Sequence, residues 1–314
     1  MIMASISELL LLLLASGANA TWDLVSLIDA QEYFKVRDVE VNVQRMMELA
    51  GKDAANGKAS IAQLLALRWL GEHPSTGKNT KAVREVLEQV AARYKGKDAQ
   101  GFASEYALRA LARLDGKAIP LRRMPESSLR ADALAWFPAT STIFGVVDLR
   151  TPQGVEGTED DSLKRLFFAA VPERERKEMY KFADEVGNFR LERVSFAVVP
   201  DSADDQRTRL YLRITGRGSR KHLGDYLRKN VGLAEVKQEK DPGGVPLALI
   251  DFKGEGPAMG LVGDTDFLIA GFPASRERAK QFQVLQEVLE VRQGKKTRMA
   301  NSTGPKLFPV FSAT

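Results

Sequence analysis

The spacing of apolar residues changes at Pro120, and this change constrains the fold more than any other feature of the chain. From about Val39 to Leu114 the spacing is helical. Val43, Met46, Met47, Leu49 and Ala50 form one stripe, ended by Gly51. Ile61, Leu64, Leu65, Leu67 and Trp69 form a second, with Gly71 and Pro74 as the stop. A third helix is expected from about Lys81 to Tyr94, and a fourth carries Phe102, Tyr106, Leu108, Leu111 and Leu114 before Gly116. Apolar side chains at such intervals share one helix face and need a partner surface.

These four helices read as two copies of one hairpin. Ala66-Leu67-Arg68 recurs as Ala107-Leu108-Arg109, and Met46, Leu49 and Ala50 recur as Leu87, Val90 and Ala91, always 41 residues on. That period is the one seen in HEAT and armadillo arrays, where one helix pair leaves an apolar face that the next must cover. Two repeats are few for independent stability, so the segment is expected to lean on the second half. Upstream, Tyr33, Phe34 and Val36 suit either a short strand or a packing arm.

Beyond Pro120 the pattern becomes mixed. Residues 121–140 read as a linker with an apolar stretch from Ala133 to Phe137. Thr142 to Leu149 reads as a strand, and a helix is expected from the acids near Ser162 to Val186, with a break at Pro172, whose ring interrupts the hydrogen-bond ladder. Phe189 to Val199 reads as a strand whose alternation slips at Arg193 and Val194, as a bulge would cause. Leu210, Leu212 and Ile214 alternate with Arg209, Tyr211, Arg213 and Thr215, the clearest pattern of a half-buried strand in the chain. A polar turn over 201–205, a basic helix from Arg217 to Lys229, a strand from Leu247 to Phe252, a hairpin of Met259–Val262 with Phe267–Ala270, and a helix from Arg276 to Arg292 complete the series. The order is that of a ferredoxin-like or split βαβ unit, an antiparallel sheet with helices on one face. The expected class is α+β: residues 1–20 a signal segment, 21–120 helical and HEAT-like, 121–140 the linker, 141–293 the α+β domain, and 294–314 a tail, either an unfolded end or a truncated strand.

The signal segment rests on Leu9 to Leu14, six leucines followed by Ala15-Ser16-Gly17-Ala18-Asn19-Ala20. An apolar core ending in small-x-small predicts cleavage near Ala20 and an extracytoplasmic, periplasmic or secreted, mature chain. The expected basic n-region is missing and Glu8 adjoins the leucines, so a buried N-terminal helix stays as the alternative. The run is well short of the roughly 20 residues that cross a bilayer.

With no cysteine in 314 residues, the chain has no disulfide, thiol nucleophile or thiolate-bound metal. Its net charge of +5 is spread along the sequence, at Arg122–Arg123, at Arg217, Arg220 and Lys221, and at Lys295, Lys296 and Arg298. Without a basic face, stacking aromatics or a known motif, specific nucleic-acid binding is not expected; a protein or anionic polymer is the expected partner class.

Residues able to do chemistry are few and scattered. His73 and His222 are the two histidines, each without a second ligand nearby, and His73 stands where a helix end needs a cap. Glu159-Asp160-Asp161 and Asp264-x-Asp266 invite a divalent cation, which needs several oxygens around one point. Asp264, Asp266, Asp201, Asp204 and Asp205 equally suit turns for backbone reasons. Gly254 to Gly260 is glycine-rich but lies between strands, whereas a phosphate cradle needs a following helix. No catalytic residue, cofactor or metal site is assigned.

The segments Ala133 to Pro138, Phe144 to Arg150 and Leu261 to Asp266 resemble uncharacterised exported proteins of planctomycete type. The resemblance implies export and α+β architecture, and no activity. Two functions are carried forward: an exported non-enzymatic binding module, and an extracytoplasmic hydrolase whose carboxylates the fold would assemble.

Overall fold

The computed structural model describes residues 22–53, 59–73, 79–95, 102–117, 135–141, 143–148, 171–199, 209–230, 236–240, 246–250, 258–262, 266–273, 278–296 and 310–312. The chain is α+β. It divides into two compact units, one formed by Thr21–Leu121 with Pro152–Arg190, the other by Arg122–Thr151 with Leu191–Thr314.

The first unit is helical. After the short β1 (Trp22–Asp23) come α1 (Leu24–Leu27), α2 (Ala30–Lys35), α3 (Val43–Gly51), α4 (Ile61–Glu72), α5 (Asn79–Tyr94), α6 (Phe102–Leu114) and α7 (Glu173–Val186). Short polar residues start four of them. Asp23, Asp29, Asn42 and Ser60 each accept a hydrogen bond from the backbone N–H three residues on, satisfying donors that a helix start otherwise leaves open. The segment expected as a strand or arm is therefore helical. Tyr33 and Phe34 are buried in it while Val36 stays 46% exposed. Pro172 stands at the N-cap of α7, where its missing N–H is not needed; the part of the expected helix before Val171 lies outside the described residues.

Helix α3 packs on α4 and α5, and α6 packs on α4 and α5. The two hairpins close in the same way. Gln63 Nε2 of α4 donates to Ala50 O at the end of α3, and Ser104 Oγ of α6 donates to Ala91 O of α5. These donors and acceptors are each 41 residues apart, the spacing of the repeated triplet. Gly71 does not stop α4. A Cβ there would lie 2.7 Å from Ala110 Cα, so glycine lets α4 and α6 approach closely. The helix placed by sequence in the α+β domain belongs here instead, with Tyr180 and Ala183 of α7 in the helical core.

In the second unit the strands β2 (Ile143–Asp148), β3 (Arg190–Val199, its first residue in the helical unit), β4 (Arg209–Arg217), β5 (Val236–Lys240), β6 (Pro246–Ile250), β7 (Ala258–Val262), β8 (Asp266–Pro273) and β9 (Val310–Ser312) run in the order β5-β6-β7-β8-β4-β3-β2-β9. Helices α8 (Arg220–Asn230) and α9 (Arg278–Arg292) complete it. This order is not the split βαβ arrangement. That arrangement separates the strands flanking its first helix, whereas β2 and β3 are direct antiparallel neighbours. Residue Val310 of the expected tail pairs with Val146, making β9 parallel to β2.

Two further expectations change. Pairing of β2 with β3 runs without a shift from Ile143–Val198 to Asp148–Arg193, so no bulge interrupts it; Val194 is buried because both faces of β3 are covered there. In β4 the burial does not alternate: Tyr211, Leu212 and Arg213 are buried in succession, so the middle of the strand is covered on both faces rather than half-buried. Tyr211, Arg213 and Thr215 are buried, while Leu210 is 36% exposed. Tyr211 joins Trp136, Phe137, Phe144, Ala197 and residues of α9 in one core, and α9 packs on β4, β7 and β8.

Candidate functional site

On the helical unit, the end of α2 and the outer face of α7 border an open groove of about 640 Å³. Amphipathy produces it. Tyr180, Ala183 and Val186 turn inward, which leaves Glu173, Arg174, Lys177, Glu178 and Lys181 along the opposite face. Across from them stand Val36 and Arg37.

Arg37 is held firmly for a surface arginine. Its Nη1 donates to Tyr33 O at 3.0 Å, its guanidinium carbon lies 3.7 Å from the Tyr33 ring centroid, and Nη2 pairs with Asp184. The Tyr33 hydroxyl also donates to Asp184. Burial, reinforced by the Asp184 carboxylate, pushes the Tyr33 phenol above the ordinary tyrosine range, so it stays a neutral donor. Lys177 pairs with Glu173 at 2.7 Å and Lys181 with Glu178 at 2.8 Å. The hydrogen bond from Lys177 holds the Glu173 carboxyl below its usual range. Arg174 is exposed and has no acidic partner among the described residues.

Elsewhere in this unit, charge is buried and closed on itself. Asp23 Oδ2 accepts from Arg190 Nε at 3.0 Å and Nη2 at 2.7 Å, and Asp23 Oδ1 accepts from the Tyr106 hydroxyl at 2.7 Å. Arg190 also binds Glu105, to which Arg109 pairs at 2.8 Å. Burial alone would raise the Asp23 carboxyl; the Arg190 charge and the Tyr106 hydrogen bond outweigh it and bring it down to about 2. Burial raises the Tyr106 phenol well above its ordinary range. The Arg190 and Tyr106 donors tie the first turn of the unit to α6 and to Arg190. The cluster is a fastening with no open coordination position.

The sheet unit buries charge in a comparable way. The guanidinium carbons of Arg213 and Arg292 lie 4.3 and 4.2 Å from the Trp136 ring centroid, and Glu287 accepts from Arg209 and from the Tyr211 hydroxyl. A cation over an indole face is attracted by the ring quadrupole, which offsets part of the cost of burying Arg213.

The residues singled out by sequence are not brought together. His73 caps α4, its ring stacked on Trp69 at 4.5 Å with Nδ1 3.1 Å from Trp69 O. His222 lies on α8, in the other unit, where its backbone N–H donates to Ser219 Oγ at 3.3 Å. Arg217, Lys221 and Lys296 are each paired with an acid. Glu159 to Asp161, Asp201 to Asp205, Asp264 and the signal segment lie outside the described residues. Among the described residues no group of three or more histidines or carboxylates gathers, and no helix is long and apolar enough to cross a membrane. The groove was missed from sequence. Its charges were visible in Glu173 to Lys181, but nothing local shows that Val36 and Arg37 face them.

Compared with family models, curated proteins and solved structures, the chain gives no match.

Proposed function

We propose that the chain is an exported, non-enzymatic binding module whose contact face is the groove between Val36–Arg37 and α7. One observation carries this reading. The groove presents its cations to solvent beside an exposed valine, with Arg174 uncommitted, whereas the buried charges are spent on holding elements together. A rigid, anchored arginine at a groove edge suits recognition of a partner, because little side-chain freedom is then lost on binding.

Export rests on the leucine run ending in Ala18-Asn19-Ala20 and on the resemblance to exported planctomycete-type proteins. The two hairpins are read as a HEAT-like stack of two repeats. The support is the matched pair of closing hydrogen bonds, Gln63 to Ala50 and Ser104 to Ala91, at the repeat spacing.

Two measurements test the proposal. N-terminal sequencing of the native chain from an extracytoplasmic fraction should begin at Thr21; an intact Met1 in the cytosol overturns export. A pool of short peptides of mixed charge, titrated against the isotopically labelled chain, should shift the backbone amides of Val36, Arg37, Arg174 and Lys177. Silence of those amides towards every peptide removes the groove as the contact face.

A further inference from the structure

We infer that the occupant of this groove is an extended, acidic peptide segment with carboxylates at alternate positions and an apolar residue between them. The inference rests on the groove being the contact face, and adds what it would hold.

Spacing gives the first argument. Arg174, Lys177 and Lys181 follow one face of α7 over seven residues, about 10 Å at 1.5 Å per residue. An extended peptide repeats its side-chain direction every two residues, about 6.6 Å. Two carboxylates at positions i and i+2 therefore span most of the cationic stripe. The residue between them points the other way, toward the side of the groove where Val36 is 46% exposed.

The cost of exchange gives the second. Arg174 has no acidic partner to surrender. Lys177 and Lys181 are held by Glu173 and Glu178 in exposed pairs within one helix. Exposed pairs of that kind contribute little to stability, so an incoming carboxylate displaces them at little loss. Arg37 keeps its orientation through Tyr33 and Asp184 whether or not a ligand is present. The same two glutamates argue against a flat anionic surface such as a bilayer. They repel a continuous sheet of charge, while a narrow peptide places its acids only against the cations.

The test uses the full chain and an eight-residue peptide alternating glutamate with valine, beside versions alternating glutamine or lysine with valine, and vesicles containing a third phosphatidylglycerol. The glutamate peptide should shift the amides of Val36, Arg37 and Arg174, bind at least tenfold tighter than the glutamine peptide, and weaken as salt is raised. Arg174→Glu, an exposed change, should lower that affinity about tenfold. Lys81→Glu, equal in charge and outside the groove, should change it less than twofold. If the glutamine or lysine peptide binds the groove as well as the glutamate one, the acidic assignment is wrong while the contact face stands. If none of the three reaches the groove, or if only the vesicles do, the peptide assignment falls.

Discussion

Arg190 Nη2 and Asp23 Oδ2 lie 2.7 Å apart, joining residues 167 positions distant in sequence through an ion pair with almost no solvent exposure on either side chain. Asp23 also caps α1 and accepts from Tyr106, so one carboxylate fixes a helix start, α6 and the end of the unit's last segment.

Removing that carboxylate leaves a buried guanidinium with only Glu105 to balance it. Asp23→Asn should destabilise the folded chain by about 3 kcal/mol, the lower range for breaking a buried pair. The pH dependence has a definite sign. The folded value of about 2 lies below the ordinary 3.8, so ionised Asp23 favours the folded state above about pH 4. That contribution, about 2 kcal/mol, is lost as pH falls from 4 towards 2. Urea midpoints measured at pH 7, 4, 3 and 2 should show the gap between the native chain and Asp23→Asn closing across this window. A gap that stays constant down to pH 2 would contradict the assignment.

A second prediction concerns Gly71. Alanine normally favours a helix interior by up to about 1 kcal/mol over glycine. At Gly71 the added Cβ meets the Ala110 backbone at 2.7 Å, and backbone yields only by moving α4 from α6. Gly71→Ala should therefore lower stability by about 1–3 kcal/mol. At Gly51 a Cβ would meet only Val86 Cγ1, at 3.9 Å, so Gly51→Ala should be neutral or stabilising. Thermal melts of the two variants side by side separate a close helix contact from a simple helix stop.

What the sequence could and could not show follows the range of the interactions. Helices α3 to α6 were legible because each apolar stripe lies within a dozen or so residues of its own helix. Gly71 was misread, since a glycine near a helix end and one beneath a crossing helix look alike locally. Burial of Tyr211, Arg213 and Thr215 in β4 was not legible, because Leu210, Leu212 and Ile214 look more apolar. Arg213 is covered by Trp136, distant in sequence, whose ring receives its guanidinium. Strand order depends on pairings between distant segments, and β5 carries no apolar alternation to announce it. The groove lay beyond local reading, because its two sides are more than a hundred residues apart.

The Trp136 site yields a third prediction. Arg292→Gln keeps much of the side-chain volume and removes one cation from the indole, and should cost about 1 kcal/mol. Trp136→Leu removes the platform for both arginines and leaves Arg213 buried without it, and should cost 3 kcal/mol or more, on the order of other large core truncations. Chemical denaturation of the two variants and of the double variant tests the coupling. Strict additivity of the two losses would show that Arg292 and Trp136 do not interact.

The repeat itself can be tested at one pair of equivalent positions. Leu67 and Leu108 occupy the same place in Ala66-Leu67-Arg68 and Ala107-Leu108-Arg109, yet Leu67 is fully buried and Leu108 is 55% exposed. In a stack, the first hairpin is covered by the second, whose own outer helix has no successor to cover it. Leu67→Ala should then cost about 2–5 kcal/mol through lost burial and the cavity it leaves. Leu108→Ala should stay within about 0.5 kcal/mol, as surface changes do. Equal losses at the two positions would mean that Leu108 is covered in solution, and that the outer face of α6 is not the open end of the stack.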